Sequence, residues 1–317
     1  MASSLTELTQ LLGIKHPIIM APMFLVSNVK MLKAGMENRI AACVPALNYR
    51  TINDLREAIT QMKSAKIPGG AFGINLIVNK SNIKYPAQLE AACELGVDFI
   101  ITSLGSPKMV IEKAKLKGIK VFCDVVDLAY AKKVEALGCD GLIAVNNEAG
   151  GHRGNMSPEE LITTLTENCT IPVISAGGVA SKADLDKMLS YGAVGCSIGS
   201  PFIACEEADV SQEYKQACVD YGAEDIVMTQ KISGTPCTVI NTPYVQKIGT
   251  KQGWLEALLN KNKQLKKWVK RARWIKGTNM VSKAANQATY KTVWVAGSTI
   301  EGTKAIEPVK KILERFI

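Results

Sequence analysis

Along the first two-thirds of the chain, apolar residues fall into two alternating patterns. Short β-branched runs at Pro17–Ala21, Ile40–Val44, Ala71–Leu76, Phe99–Thr102, Lys120–Asp124, Gly141–Val145, Pro172–Ser175 and Gly195–Ile198 predict eight strands. Between them lie segments whose apolar residues recur at helical spacing: TINDLREAITQMKSAK, YPAQLEAACELG, KMVIEKAKLKG, LAYAKKVEALG, SPEELITTLTEN and SKADLDKMLSYG. SPEE and SKAD open with a capping serine and an acidic residue in the first turn, and several of the segments end at glycine. Strands alternating with helices pair in parallel through crossovers, so eight such units predict an α/β chain closed as a (β/α)8 TIM barrel. An open doubly wound sheet is the competing architecture. It calls for Gly-x-Gly-x-x-Gly after the first strand, where MAPMF stands instead.

The alternation stops near Tyr221. Residues 222–287 are expected to form a small helical subdomain, and 288–317, ending in an amphipathic helix, to return to the barrel begun by 1–221. The subdomain carries the charge that stands out in the chain. Of the net +9, much is concentrated between Asn260 and Gly277, a run of lysines and arginines with no acidic residue. Leu265, Trp268, Val269, Ala272 and Ile275 fall at helical spacing within it. A docked amphipathic helix with a solvated basic face is therefore favoured over a nucleic-acid site, although such a patch also suits phosphate backbones.

Composition narrows the rest. The 317 residues are 47% hydrophobic and 21% charged, as in a folded globular protein. No run approaches the roughly 18 apolar residues of a membrane span. The N-terminus lacks a charged segment followed by an apolar block, so a cytoplasmic address is expected. Nine cysteines are scattered without Cys-x-x-Cys spacing, which fits neither a disulfide framework nor a metal site. Most sit in apolar runs and are expected to be buried thiols.

In a barrel, chemistry belongs to the loops at the C-terminal ends of the strands. Ala21-Pro22-Met23 follows the first strand, Asn75 ends the third, and EAGGHRGN follows the sixth. Ala176-Gly177-Gly178 follows the seventh and Gly199-Ser200-Pro201-Phe202 the eighth. Loops after strands seven and eight often hold a phosphate, because glycines free the main-chain N–H groups and a helix dipole favours the anion. A phosphorylated cofactor or substrate is therefore expected there. His152 is one of only two histidines, set in a glycine loop at the mouth. Imidazole is the side chain suited to moving protons near neutral pH, which makes His152 the candidate catalytic residue. His16, before the first strand at the opposite end, reads as structural.

APM, FGINL, EAGGHRG, ISAGGV, GAVGCSIGSPF and SGTPCTVIN together resemble the nitronate monooxygenase (2-nitropropane dioxygenase-like) family of FMN-dependent TIM-barrel flavoproteins, from about Ile14 to Asn241. The resemblance implies FMN across the mouth, its phosphate held by Gly177, Gly178, Gly199 and Ser200. Its ring would face Ala21, Met23, Asn75, Gly150 and Gly151, with His152 at the reactive face. It implies oxidation of nitronates or nitroalkanes by dioxygen to a carbonyl compound and nitrite. An FMN-dependent enoyl-acyl-carrier-protein reductase, with an enoyl thioester substrate and NAD(P)H as donor, shares EAGGH and is the alternative. An RNA-directed flavoprotein of dihydrouridine synthase type is a weaker one, because EAGGHRG is foreign to that pattern. A small-molecule substrate is expected, without membrane, metal or nucleic acid, and a homodimer is compatible with the sequence. Two positions depart from the family. Val145-Asn146 stands where many relatives have Gln-Gly, which leaves flavin contacts there to the backbone or to Asn146 and Asn147. Cys123-Asp124 stands where some have a lysine. Arg153 is offered equally as a guide for an anionic substrate and as a solvated side chain.

Overall fold

The computed structural model describes residues 6–79, 81–230, 236–251 and 293–317. Eight parallel strands run in sequence order: β1 (Ile18–Met20), β2 (Ala41–Pro45), β3 (Ala71–Ile77), β4 (Phe99–Ser103), β5 (Lys120–Val125), β6 (Gly141–Val145), β7 (Val173–Ala176) and β8 (Gly195–Ile198). Each pairs with the next, and β8 closes on β1 with Ile18 opposite Cys196 and Met20 opposite Ile198. This is the closed (β/α)8 barrel that the alternation predicts, and each strand end falls within one residue of its expected place.

The barrel interior is a packed core, not a channel. Ile19, Ala41, Cys43, Ala71, Phe99, Ile101, Phe122, Ile143 and Ile174 fill it. Phe99 and Phe122 meet edge to face at 5.8 Å. That contact explains the glycine of FGINL, since a Cβ on Gly73 would lie 2.5 Å from the Phe99 ring. Helix α1 (Glu7–Leu12) plugs the lower end through Leu8 and Leu12. With the interior filled and the bottom closed, a ligand has access only from the C-terminal mouth.

Helices α2 (Val29–Glu37), α3 (Ile52–Ser64), α4 (Tyr85–Leu95), α5 (Lys108–Lys115), α6 (Leu128–Glu135), α7 (Pro158–Asn168) and α8 (Lys182–Ser190) form the outer layer. Their starts are written in the sequence. Thr51 and Asp54 make a reciprocal capping box on α3, and Asp127, Ser157 and Ser181 accept main-chain N–H groups at the starts of α6, α7 and α8. Each such cap contributes about 1 kcal/mol.

After α9 (Gln212–Asp220) the chain forms an antiparallel pair, β9 (Ile226–Thr229) and β10 (Cys237–Ile240), followed by α10 (Pro243–Ile248). The segment expected to be helical thus begins with a small sheet. The rest of it, including the basic run Asn260–Gly277, lies outside the described residues. The chain re-enters with Trp294 stacked on Tyr214 at 5.6 Å, and the last helix, α11 (Val309–Leu313), packs against α2. No helix among the described residues is long and apolar enough to cross a membrane.

Candidate functional site

The first wall of the mouth is held rigidly. The Ala21 N–H donates to the Ile198 carbonyl at 2.8 Å, and the Met23 N–H to Ser27 Oγ at 2.9 Å. Asn48, which the sequence reading did not single out, ties this turn to β2. Its Oδ1 accepts from Leu25 N, and its Nδ2 donates to the Ser27 carbonyl at 2.8 Å. Ala21, Pro22 and Met23 are thereby fixed at the rim.

Across the mouth lie the two glycine loops. Gly177 and Gly178 have φ of 114° and 79°, conformations that a side chain would strain. No acceptor for the N–H groups of Gly177, Gly178, Gly199 or Ser200 is found among the described residues. Four unsatisfied donors above two adjacent strands, beside the start of α8, form a cradle suited to an anion. A Cβ on Gly178 would fall 2.2 Å from Glu148 Oε2, so a side chain here would collide with this exposed carboxylate.

Gly150 meets protein on the side where a side chain would stand. A Cβ there would meet Ser200 Oγ at 2.8 Å and Gly297 N at 2.9 Å, so protein already occupies the space. Gly297 N also donates to Ser200 Oγ at 2.9 Å. The loops after β6 and β8 and the returning C-terminal segment meet at this point, main chain against main chain. The Ser200 hydroxyl accepts from Gly297 and retains its own proton for a ligand. Asn146 is fully buried and also committed. Its Oδ1 accepts from Glu148 N at 2.9 Å and its Nδ2 donates to the Gly177 carbonyl, which binds the loop after β6 to that after β7.

His152 faces a cavity of about 390 Å³ lined with Asn147, Arg153, Gly154, Asn155, Met228 and Pro236. Its loop is stapled to β10, with Gly151 N donating to Thr238 Oγ1 at 2.7 Å and Thr238 N to the Gly151 carbonyl at 2.9 Å. The hairpin β9–β10 thus positions the histidine, which helical spacing alone did not foretell. By surface area His152 is exposed, yet desolvation by nearby protein still holds its pKa below the usual 6.5. The neutral imidazole, able to accept a proton, therefore predominates near neutral pH. Arg153 is exposed and donates to the Asn147 carbonyl, which keeps it on the same cavity. A second hollow of about 460 Å³, lined with Val78, Tyr85, Leu104, Lys108 and Glu112 among others, has no histidine or thiol in its wall. His16 sits before β1, at the opposite end.

At the floor of the mouth, three polar residues cap the apolar interior. Asn75 Nδ2 donates to the Ile101 carbonyl at 3.2 Å and to Ser103 Oγ at 2.8 Å. Ser103 Oγ donates in turn to Asp124 Oδ2 at 2.5 Å. Both amide hydrogens of Asn75 are consumed, so the contact expected of it with a bound ring is left to its Oδ1. Burial pushes the Asp124 carboxyl up to about 6, against the opposing effect of the Ser103 hydrogen bond. Ser103 escaped the sequence reading, although a polar residue ending the run FIITS was a legible sign. Eight of the nine cysteines are buried and Cys93 partly so, and no cluster able to hold a metal ion occurs among the described residues.

Comparison with known proteins adds a family to this geometry. Residues 5–317 match the family model described as nitronate monooxygenase. The (3aS,4S,5R,7aS)-5-hydroxy-7a-methyl-1-oxo-octahydro-1H-indene-4-carboxyl-CoA dehydrogenase of Rhodococcus jostii (strain RHA1) is 29% identical over 266 residues, which is 83% of this chain and 74% of the relative. A probable nitronate monooxygenase of Staphylococcus saprophyticus is 26% identical over 288 residues, 77% of this chain and 80% of the relative. Among solved structures, FabK from Thermotoga maritima superposes with a TM-score of 0.83 at 25% identity, covering 99% of this chain and 95% of that one.

Proposed function

The chain belongs to the nitronate monooxygenase family, and from that premise we propose an FMN-dependent oxidoreductase that oxidises nitroalkanes or their nitronates with dioxygen, giving a carbonyl compound and nitrite. The observation that carries this reading is the anion cradle of unsatisfied N–H groups at Gly177, Gly178, Gly199 and Ser200, one glycine contact away from the histidine loop. These residues would hold the FMN phosphate, with Ala21, Met23, Asn75, Gly150 and Gly151 toward the ring. When bound, FMN supplies the two-electron acceptor that no side chain of the protein can replace. Neutral His152 breaks the α-C–H bond of a nitroalkane by taking its proton, leaving the electron pair on the substrate for oxidation. Residues 1–221 with 288–317 would form the FMN-binding barrel, and 222–287 its cover.

A second reading draws on the Rhodococcus relative, whose name denotes dehydrogenation of a carboxyl-CoA thioester. In that case the same cradle and histidine serve an acyl thioester, as in an enoyl-thioester reductase, with NAD(P)H exchanging electrons with the flavin. Both substrates acidify the carbon beside an electron-withdrawing group, so one base suits either. Four anaerobic mixtures separate the readings by flavin absorbance: FMN-loaded protein with nitroethane, with its nitronate, with NADH, or with an acyl thioester. Bleaching by nitroethane, with or without its nitronate, and by neither NADH nor the thioester is the expected result. Bleaching by NADH but not by either nitro compound moves the function to the thioester class.

A further inference from the structure

The mouth has two titratable groups whose pKa burial shifts, His152 downward and Asp124 upward, and the reaction above uses only the first. Asp124 is the penultimate residue of β5, on the inward face above Phe122 and the barrel core. The relay Asn75–Ser103–Asp124 fixes its Oδ2. No lysine or arginine pairs with it among the described residues. The titratable groups that sense its charge are Cys43 on β2, Cys123 on its own strand and Tyr130 on α6, none of them a cation. His152 is held toward its neutral form. An ionised carboxylate at the floor of a concave site, with no fixed cation beside it, repels anions through a medium that screens poorly.

We propose that Asp124 is a specificity-determining residue: oriented by Ser103 and, through it, by Asn75, it turns the mouth toward ligands that are neutral at the end reaching the barrel floor, and against anions. The inference rests on the proposed flavin enzyme and narrows its substrate to the neutral carbon acid, a nitroalkane rather than a preformed nitronate. The Asp124 carboxyl is neutral below about pH 6 and charged above, so the discrimination is switched on as pH rises. Ser103 is a positioning residue. Its hydrogen bond stabilises the charged form, so removing it moves the switch to higher pH.

The test uses FMN-loaded protein and a matched pair of probes, benzoate and benzamide, whose dissociation constants are read from flavin difference spectra. At about pH 8 the Asp124→Asn variant should tighten benzoate about tenfold relative to benzamide, and at about pH 5 the two proteins should agree. In Ser103→Ala the transition should lie at higher pH than in the parent. The midpoint potential of the bound flavin reads the same charge without any probe. Asp124→Asn should favour reduction about tenfold at the higher pH, about 30 mV for a two-electron couple, and leave it unchanged at the lower. Bound flavin with equal potentials and equal probe ratios in parent and Asp124→Asn overturns the inference alone. Failure of any form of the protein to take up FMN overturns the flavin enzyme itself, and the inference with it.

Discussion

His152 and Asp124 are shifted in opposite senses by the same cause. Desolvation disfavours charge, so it lowers the histidine and raises the carboxyl. For His152 the neutral base is the working form. Activity should hold above its pKa and fall as pH drops through it, giving kcat/KM an acid limb centred below about 6.5. A profile whose acid limb is unchanged when His152 is replaced removes that assignment. For Asp124 the consequence lies in stability. Its folded form holds the proton more tightly than the unfolded chain does, so stability is greatest in acid and declines as pH rises from about 4 to about 6. Asp124→Asn should therefore stabilise the fold near neutral pH by on the order of 1–2 kcal/mol and have little effect at about pH 4. Urea unfolding at the two pH values measures this, and equal gains at both would contradict it.

At the scale of elements, the contact of Gly150 with Ser200 and Gly297 joins three loops, and no side chain fits there. Gly150→Ala should cost about 1–3 kcal/mol by overpacking and weaken FMN uptake, as measured by denaturation and flavin titration. Unchanged stability would mean that the loops do not meet. The same glycine shows what a sequence can and cannot convey. Strands and helices follow from local periodicity, so the barrel, its caps and the loops carrying Asn75, His152, Gly177 and Gly199 were all legible. Gly150 was legible as unusual, but its cause was not, because Gly297 lies far along the chain. Asn75, Ser103 and Asp124 come together only through the inward phase of three adjacent strands, a property of the closed barrel. The hairpin β9–β10 was missed because its strands, unlike the equally short β7 and β8, stand outside the strand–helix alternation, in a segment read throughout for helical spacing.

For the whole molecule, a ligand that binds only the folded barrel must stabilise it. At a free concentration about a hundred times its dissociation constant, FMN should add about 2.7 kcal/mol, visible as a rise in melting temperature that grows with FMN concentration. Riboflavin, which lacks the phosphate, should raise it much less if the glycine cradle is the anchor. Equal shifts would locate the binding energy elsewhere. Cofactor and histidine meet in one step, the anaerobic bleaching of the bound flavin by nitroethane, and its rate can be compared in the parent protein and in His152→Ala, with both fully loaded. The parent should bleach, and the variant should do so more slowly by about a hundredfold or more. Equal rates in the two proteins would contradict His152 as the base.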